Sequence, residues 1–127
     1  MKATAYTIGH SNKTLQQFLY KLSEYEIEMV IDVRTRPISR WCPHFNRRNL
    51  EDVLLEFGII YLFRGRNLGG LLENVDYVQT IDEVVGLAQT QRVALMCSEG
   101  DYKNCHRFTM LTPDFLQKDL KIKHIIW

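Results

Sequence analysis

Short apolar runs rich in β-branched residues alternate with amphipathic segments along the chain, and this alternation limits the possible folds more than any other feature. The apolar runs predict strands, and the segments between them carry apolar residues at helical spacing. The predicted strands are Thr4 to Ile8, Met29 to Val33, Ile59 to Phe63, Val93 to Cys97 and Lys123 to Ile126. The predicted helices run from a cap at Ser11 or Thr14 to about Glu26, from Asn46 to a stop at Gly58, from Asp76 to Gln89 and from Asn104 to Gln117.

Strands that alternate with helices are joined by right-handed crossovers and form parallel sheets. The sequence therefore predicts an α/β fold, a three-layer sandwich with a mainly parallel five-stranded sheet and helices on both faces. Arg34 to Phe45 contains Pro37 and Pro43 and is predicted to be a loop. Pro113 is expected either to kink the last helix or to split it into two pieces.

The length and composition predict one soluble domain. The 127 residues are 46% hydrophobic, enough to build a core, so we expect a single α/β domain over residues 1–127. No apolar run is long enough to span a membrane, and Met1 to Gly9 lacks the apolar core of a secretory signal. The three cysteines are an odd number, which argues against a disulfide scaffold. We expect a cytoplasmic protein that does not bind membranes.

Polar and ionisable residues follow the inner predicted strands at their carboxyl ends. In an open parallel sheet, ligands bind outside these ends, so the coincidence predicts a functional site there. The candidate residues, in chain order, are His10, Ser11, Asp32, Arg34, Arg36, Arg64, Cys97, Glu99, Cys105, His106 and Arg107.

Asp32 and Glu99 are the candidate catalytic carboxylates. Asp32 lies within an apolar run, so we expect it to be at least half buried and to need a partner. It either pairs with an arginine or caps a turn, or it acts as a general base or orients an arginine or histidine. Glu99 presents the same choice. Different environments at two neighbouring strand ends can divide such carboxylates into an acid and a base.

The segment from Arg34 to Arg48, called the basic segment below, holds five of the nine arginines and no acidic residue. Guanidinium groups bind phosphates and carboxylates, and the interleaved Trp41, His44 and Phe45 offer rings that can stack on bases. The alternative is a solvated loop whose arginines pair with Glu51, Asp52 and Glu56. Because the net charge is only +1, a local basic patch favours a defined anionic ligand over nonspecific coating.

The segment from Cys97 to Arg107 has three interpretations. In the first, a nucleophile, Cys97 ends a strand and precedes a loop and helix, as in phosphatase and rhodanese-type active sites, and the start of the helix near Cys105 favours a thiolate. That match is poor, because Lys103 stands where an arginine commonly closes the anion loop.

A metal site formed by Cys97, Cys105, His106 and His10 fits no standard zinc spacing, and we expect no metal. In the third interpretation both thiols are half-buried packing residues, and His106 and Arg107 hydrogen-bond to the strand ends. We favour this interpretation for the cysteines alone, and expect Glu99, His106 and Arg107 to face a ligand.

The glycine-rich stretch from Gly65 to Gly70 forms neither a dinucleotide fingerprint nor a phosphate loop. Dinucleotide and ATP enzymes are therefore disfavoured, and we expect no organic cofactor. The glycines either let the backbone approach a ligand, move as a lid, or form a plain turn.

An ordered set of motifs resembles the domain-of-unknown-function family 488 from about Tyr6 to Ile126. The motifs are Thr7 to Ser11, Asp32 to Arg34 with Pro37 and Ser39, Phe45-Asn46, Leu68 to Gly70, Cys97 to Glu99 and Cys105 to Arg107. The resemblance implies an α/β domain whose motif residues cluster at one edge as one constellation. It implies no reaction.

The leading hypothesis is a hydrolase or group transferase acting on a phosphate-bearing nucleotide or nucleic acid, DNA or RNA. Arg34, Arg36 and Arg107 would hold the anion, Asp32 or Glu99 would act as base, and His10 or His106 as acid. The first alternative is a noncatalytic nucleic-acid-binding module based on the basic segment. The second is a sulfurtransferase-type enzyme that uses Cys97.

Overall fold

The computed structural model describes residues 3–68 and 76–127, apart from the side chains of His106 and Arg107. The strands within these residues are β1 (Thr4–Gly9), β2 (Met29–Asp32), β3 (Ile60–Phe63), β4 (Val93–Cys97) and β5 (Lys121–His124). The α-helices within them are α1 (Leu15–Glu24), α2 (Arg47–Glu56), α3 (Gly65–Leu68), α4 (Tyr77–Thr90) and α5 (His106–Gln117). Short 3₁₀ turns cover Pro43–Phe45 and Tyr102–Asn104.

The described strands form one parallel sheet in the order β3-β2-β4-β1-β5. The predicted three-layer α/β sandwich is therefore confirmed. The last strand begins at Lys121 rather than at Lys123, because pairing with β1 starts at Thr4 and includes the two lysines. This edge strand alternates between exposed and half-buried residues, so it lacks the continuous apolar run from which the inner strands were predicted.

Two apolar clusters, one on each face of the sheet, separate the helices into two layers. Residues 94 and 96 of β4 pack with the buried stripes of α1 and α2, whereas residues 93, 95 and 97 pack with those of α4 and α5. This alternation follows from the period of two in a strand. The connections that leave β1 and β2 therefore pass over one face, and the connection that leaves β4 passes over the other. In an α/β sheet, a ligand crevice forms where the connections that leave the strands change from one face to the other in this way.

Two helix ends show how the local sequence sets the boundaries. Thr14 caps α1, and its hydroxyl accepts from the Gln17 amide at 3.1 Å while the Gln17 side chain accepts from the Thr14 amide at 2.9 Å. The helix ends at Glu24 rather than Glu26, whose φ of 55° is incompatible with a continuing helix. Pro113 lies inside α5 without splitting it. No helix in the described ranges has the length and apolarity needed to cross a membrane.

Candidate functional site

Asp32, at the end of β2, forms a buried ion pair with Arg34. Both residues are essentially buried, at 0% and 2% exposure. The Arg34 Nε and backbone N donate to Asp32 Oδ1 at 2.9 and 3.0 Å, and Arg34 Nη2 donates to Oδ2 at 2.8 Å. The prediction that Asp32 is buried with a partner is confirmed. Substrate binding by Arg34 stays a prediction, and any anion would compete with the buried Asp32 carboxylate for its guanidinium.

Tyr61 of β3 completes the environment of Asp32. Its hydroxyl donates to Asp32 Oδ2 at 2.5 Å, so the carboxylate accepts four hydrogen bonds in all. Burial, together with the negative charge of Asp32, raises the pKa of Tyr61 above its usual value. Tyr61 was not among the residues predicted from the sequence. The signal in the sequence was a tyrosine in the strand that follows Asp32, because a buried carboxylate needs hydrogen-bond donors.

His10 joins the same cluster from the end of β1. Its Nδ1 lies 2.7 Å from the Ser11 carbonyl oxygen, and its Nε2 lies 3.3 Å from Arg34 Nη1. Because a carbonyl only accepts, Nδ1 carries the proton and Nε2 accepts from the guanidinium. Burial lowers the pKa of His10 from 6.5 to about 4. The imidazole is thus neutral near pH 7 and stacks on the ring of Phe45 at 4.4 Å. This arrangement suits a positioning group better than the predicted general acid.

Backbone contacts join the loop after β1 to the loop after β4. The amides of His10 and Ser11 donate to the carbonyls of Cys97 and Ser98, both at 2.9 Å. Gly9 makes the approach possible, because a Cβ at this position would lie 1.6 Å from the Glu99 carbonyl oxygen. Ser11 and Glu99 were predicted to lie at one edge of the sheet, and the structure brings their loops into contact.

Glu99 carries an exposed carboxylate at this edge. One of its oxygens accepts from the Asp101 amide at 3.1 Å, and its side chain otherwise faces solvent. Asp32 and Glu99 therefore occupy very different environments at neighbouring strands: the first is fully engaged below the surface, and the second is open to a ligand.

Cys97 and Cys105 lie on the opposite face of the sheet from Asp32. Both thiols are buried, and their Sγ atoms are 3.3 Å apart. Cys97 Sγ also lies 3.4 Å from the Glu99 carbonyl oxygen. Residues 32 and 96 are register partners, so residue 97 points to the other face than residue 32. The predicted constellation is thus divided into two buried clusters that the sheet separates.

Most of the basic segment is exposed, in contrast to Arg34. The guanidinium groups of Arg36, Arg40 and Arg48 form no hydrogen bond or ion pair with any residue in the described ranges. The ring of Trp41 beside them is 89% exposed. The alternative in which these arginines pair with carboxylates of α2 is therefore not what the structure shows.

The backbone amide of Arg64 donates to the Asp32 carbonyl at 2.9 Å, but its side chain is directed to α4 and not to the cluster around the Asp32 carboxylate. Its Nε donates to Glu83 Oε1 of α4 at 2.8 Å, and Nη2 donates to Oε2 at 3.2 Å. The hydrogen bond to Glu83 raises the pKa of Arg64 and lowers the pKa of Glu83. Substrate binding by Arg64 stays a prediction, and any anion would compete with this partner.

Several predicted features lie outside the described residues. These are the side chains of His106 and Arg107 and the glycines Gly69 and Gly70. Cys105 itself precedes α5 as its N-cap, as expected from its place near a helix start. Within the described part of the chain, no group of three or more His, Cys, Asp or Glu side chains is arranged to hold a metal ion.

Comparison with known families identifies this α/β domain. The model of the family "Domain of unknown function DUF488" matches residues 14–78, just over half of the 127-residue chain. The chain therefore belongs to the DUF488 family. The matched range contains Asp32, Arg34 and the basic segment, whereas His10 and the segment from Cys97 lie outside it. A comparison with the curated proteins finds no match.

Proposed function

We propose that this protein is an enzyme that binds a phosphate-bearing nucleotide or nucleic acid at the carboxyl edge of its sheet and hydrolyses it or transfers a group from it. The observation that carries the proposal is the exposure of Arg36, Arg40 and Trp41 in the basic segment that follows β2, where the two guanidinium groups bond to none of the described residues. Guanidinium groups bind phosphate oxygens, and an exposed indole stacks on a base.

Glu99 is the proposed general base. Its carboxylate is exposed at the same edge of the sheet, its backbone carbonyl packs against Gly9 at the end of β1, and the preceding Ser98 carbonyl accepts from the Ser11 amide. Asp32 and His10 act in this proposal as positioning residues that fix Arg34 and the start of the basic segment, since their polar atoms are occupied within the buried cluster. His106 and Arg107 remain the proposed acid and the further anion-binding group.

Turnover of labelled DNA and RNA oligonucleotides and of nucleotides tests the catalytic role. Glu99→Gln should abolish turnover while binding stays within about twofold, because the amide keeps the shape and loses the proton acceptor. Glu24→Gln is the matched control, since Glu24 is an exposed carboxylate at the end of α1, towards the opposite edge of the sheet. Equal loss of binding and turnover, or no loss of either, contradicts the role of Glu99.

A salt series tests the binding role. Arg36→Ala/Arg40→Ala should weaken binding and reduce the slope of log K against log salt by about 2, one unit for each phosphate that an arginine no longer neutralises. Lys118→Ala/Lys121→Ala is the control with the same change in charge, placed at the end of α5 and the start of β5. Equal effects of the two double variants would mean that binding depends on the overall charge of the protein and not on the basic segment.

The second candidate function is a noncatalytic nucleic-acid-binding module. It is favoured by the mutual engagement of Asp32, Arg34 and His10, which leaves few described groups available for chemistry. In that case wild-type protein binds oligonucleotides with the same loss in the Arg36→Ala/Arg40→Ala variant and turns over no substrate. The sulfurtransferase alternative has less support, because Cys97 is 0% exposed. It requires that Cys97→Ser abolish an activity that the other two proposals retain.

A further inference from the structure

We propose that Cys97 and Cys105 are a redox-modification site in which a small hydroperoxide converts the two thiols into a reversible intramolecular disulfide. The proposal does not depend on the proposed function, because neither the chemistry nor its test involves a nucleotide or nucleic acid.

The two sulfur atoms are already in contact. Their separation is 3.3 Å, and a disulfide bond of about 2.05 Å requires an approach of little more than 1 Å. Cys97 ends β4 and Cys105 is the N-cap of α5, so both lie where a regular element meets a loop. Residues 100–104 lie beyond the backbone contacts that hold residues 98 and 99, and they are exposed or half-buried, so they can adjust while the sheet and the helix stay in place.

The hydrogen bonds assign different roles to the two sulfurs. Cys97 donates its thiol proton to the Glu99 carbonyl at 3.4 Å and accepts from Cys105. Cys105 is 4% exposed and Cys97 is 0% exposed. Cys105 also lies at the junction of a loop and α5, whereas Cys97 lies in β4, an inner strand of the sheet. Cys105 is therefore the sulfur that meets the oxidant, and Cys97 is the resolving thiol.

The reaction balances in two steps. Cys105 sulfur attacks one peroxide oxygen, the O–O bond breaks, and the leaving alkoxide takes the Cys105 proton, which gives a sulfenic acid and an alcohol. Cys97 sulfur then attacks Cys105 Sγ, the S–O bond breaks, and hydroxide leaves with the Cys97 proton as water. A dithiol reductant reverses the product by thiol–disulfide exchange.

Cys42 supplies an internal control. It is also buried, but it packs in the cluster on the α1 and α2 face, while Cys97 and Cys105 belong to the cluster on the α4 and α5 face. Its Sγ lies 3.8 Å from the Ser11 carbonyl oxygen. The sheet separates it from the thiol pair, so oxidation should link Cys42 to neither sulfur of the pair.

The test is a count of thiols that can be alkylated after the native protein is treated with hydrogen peroxide and then denatured. Wild type should fall from three to one, Cys42→Ala should fall from two to none, and dithiothreitol should restore both. Cys97→Ala and Cys105→Ala should each form no intramolecular disulfide.

Peptide mapping of oxidised wild type needs no variant and keeps the proposal testable even where an alanine variant folds poorly. It should show Cys97 linked to Cys105. Three alkylatable thiols after oxidant treatment, or a disulfide that contains Cys42, would overturn the proposal.

Discussion

Replacing Asp32 by asparagine should destabilise the fold strongly, because it removes one partner of a buried ion pair. The carboxylate accepts four hydrogen bonds, three from Arg34 and one from Tyr61. Asparagine keeps one acceptor oxygen and turns an NH₂ group towards donors that faced the other oxygen. It also leaves the Arg34 guanidinium charged at 2% exposure.

Breaking such a pair costs about 3–5 kcal/mol, a large part of the roughly 5–15 kcal/mol that stabilises a domain. Tyr61→Phe removes a single hydrogen bond to the same charged group and should cost less, about 1.5–3 kcal/mol. Both values are measured as free energies of unfolding in urea, followed by far-ultraviolet circular dichroism. The urea dependence should stay unchanged if only stability changes.

A double-mutant cycle separates the pair from the packing around it. Arg34→Met combined with Asp32→Asn should cost less than the sum of the two single variants, because the double variant leaves no buried charge unpaired. A loss below about 1 kcal/mol for Asp32→Asn, or full additivity in the cycle, refutes this account of the cluster.

Two further predictions concern His10 and Gly9. The folded pKa of His10, about 4, lies below 6.5, so the unfolded chain binds more protons between these values. Stability present above pH 6.5 should fall as the pH drops towards 4, by about 3 kcal/mol in the limit, and His10→Gln should flatten this part of the urea-measured profile. An unchanged slope in the variant would assign the effect to other groups. Gly9→Ala should lower the free energy of unfolding by about 3 kcal/mol, because its Cβ would overlap the Glu99 carbonyl. A Cβ at Gly86 in α4 meets nothing within 4 Å, so Gly86→Ala should raise the free energy of unfolding by about 0.5–1 kcal/mol. Equal thermal shifts in these two variants would contradict the close approach at Gly9.

The sheet could be predicted because its inner strands are apolar on both faces. Met29 to Asp32 and Val93 to Cys97 are fully buried, and continuous apolar runs of this kind mark central parallel strands. The burial of Asp32 followed from the same pattern. The edge strand at Lys121 was located only approximately, because its alternating lysines resemble a surface loop.

The arrangement of the site was harder to predict because it depends on register. Whether Asp32 and Cys97 share a face is decided by the pairing of residue 32 with residue 96, which no local pattern specifies. Tyr61 became a partner of Asp32 only through the pairing of β3 with β2. The sequence likewise did not predict that Arg34 is buried while the other arginines nearby are exposed, because this depends on the conformation of the loop.

Backbone hydrogen bonds continue beyond the strand ends and connect the candidate site rigidly to the sheet. Amides of His10, Ser11 and Val33 bond to carbonyls of residues 97, 98 and 96, so the three loop starts extend the hydrogen-bonded ladder. The Ser11 amide lies in a partly exposed turn, yet it should exchange its proton with solvent as slowly as the core of β1. Its exchange would then report global unfolding rather than local opening. The edge that carries Glu99 is thus as rigid as the sheet itself, and the surface that a ligand meets there is preorganised.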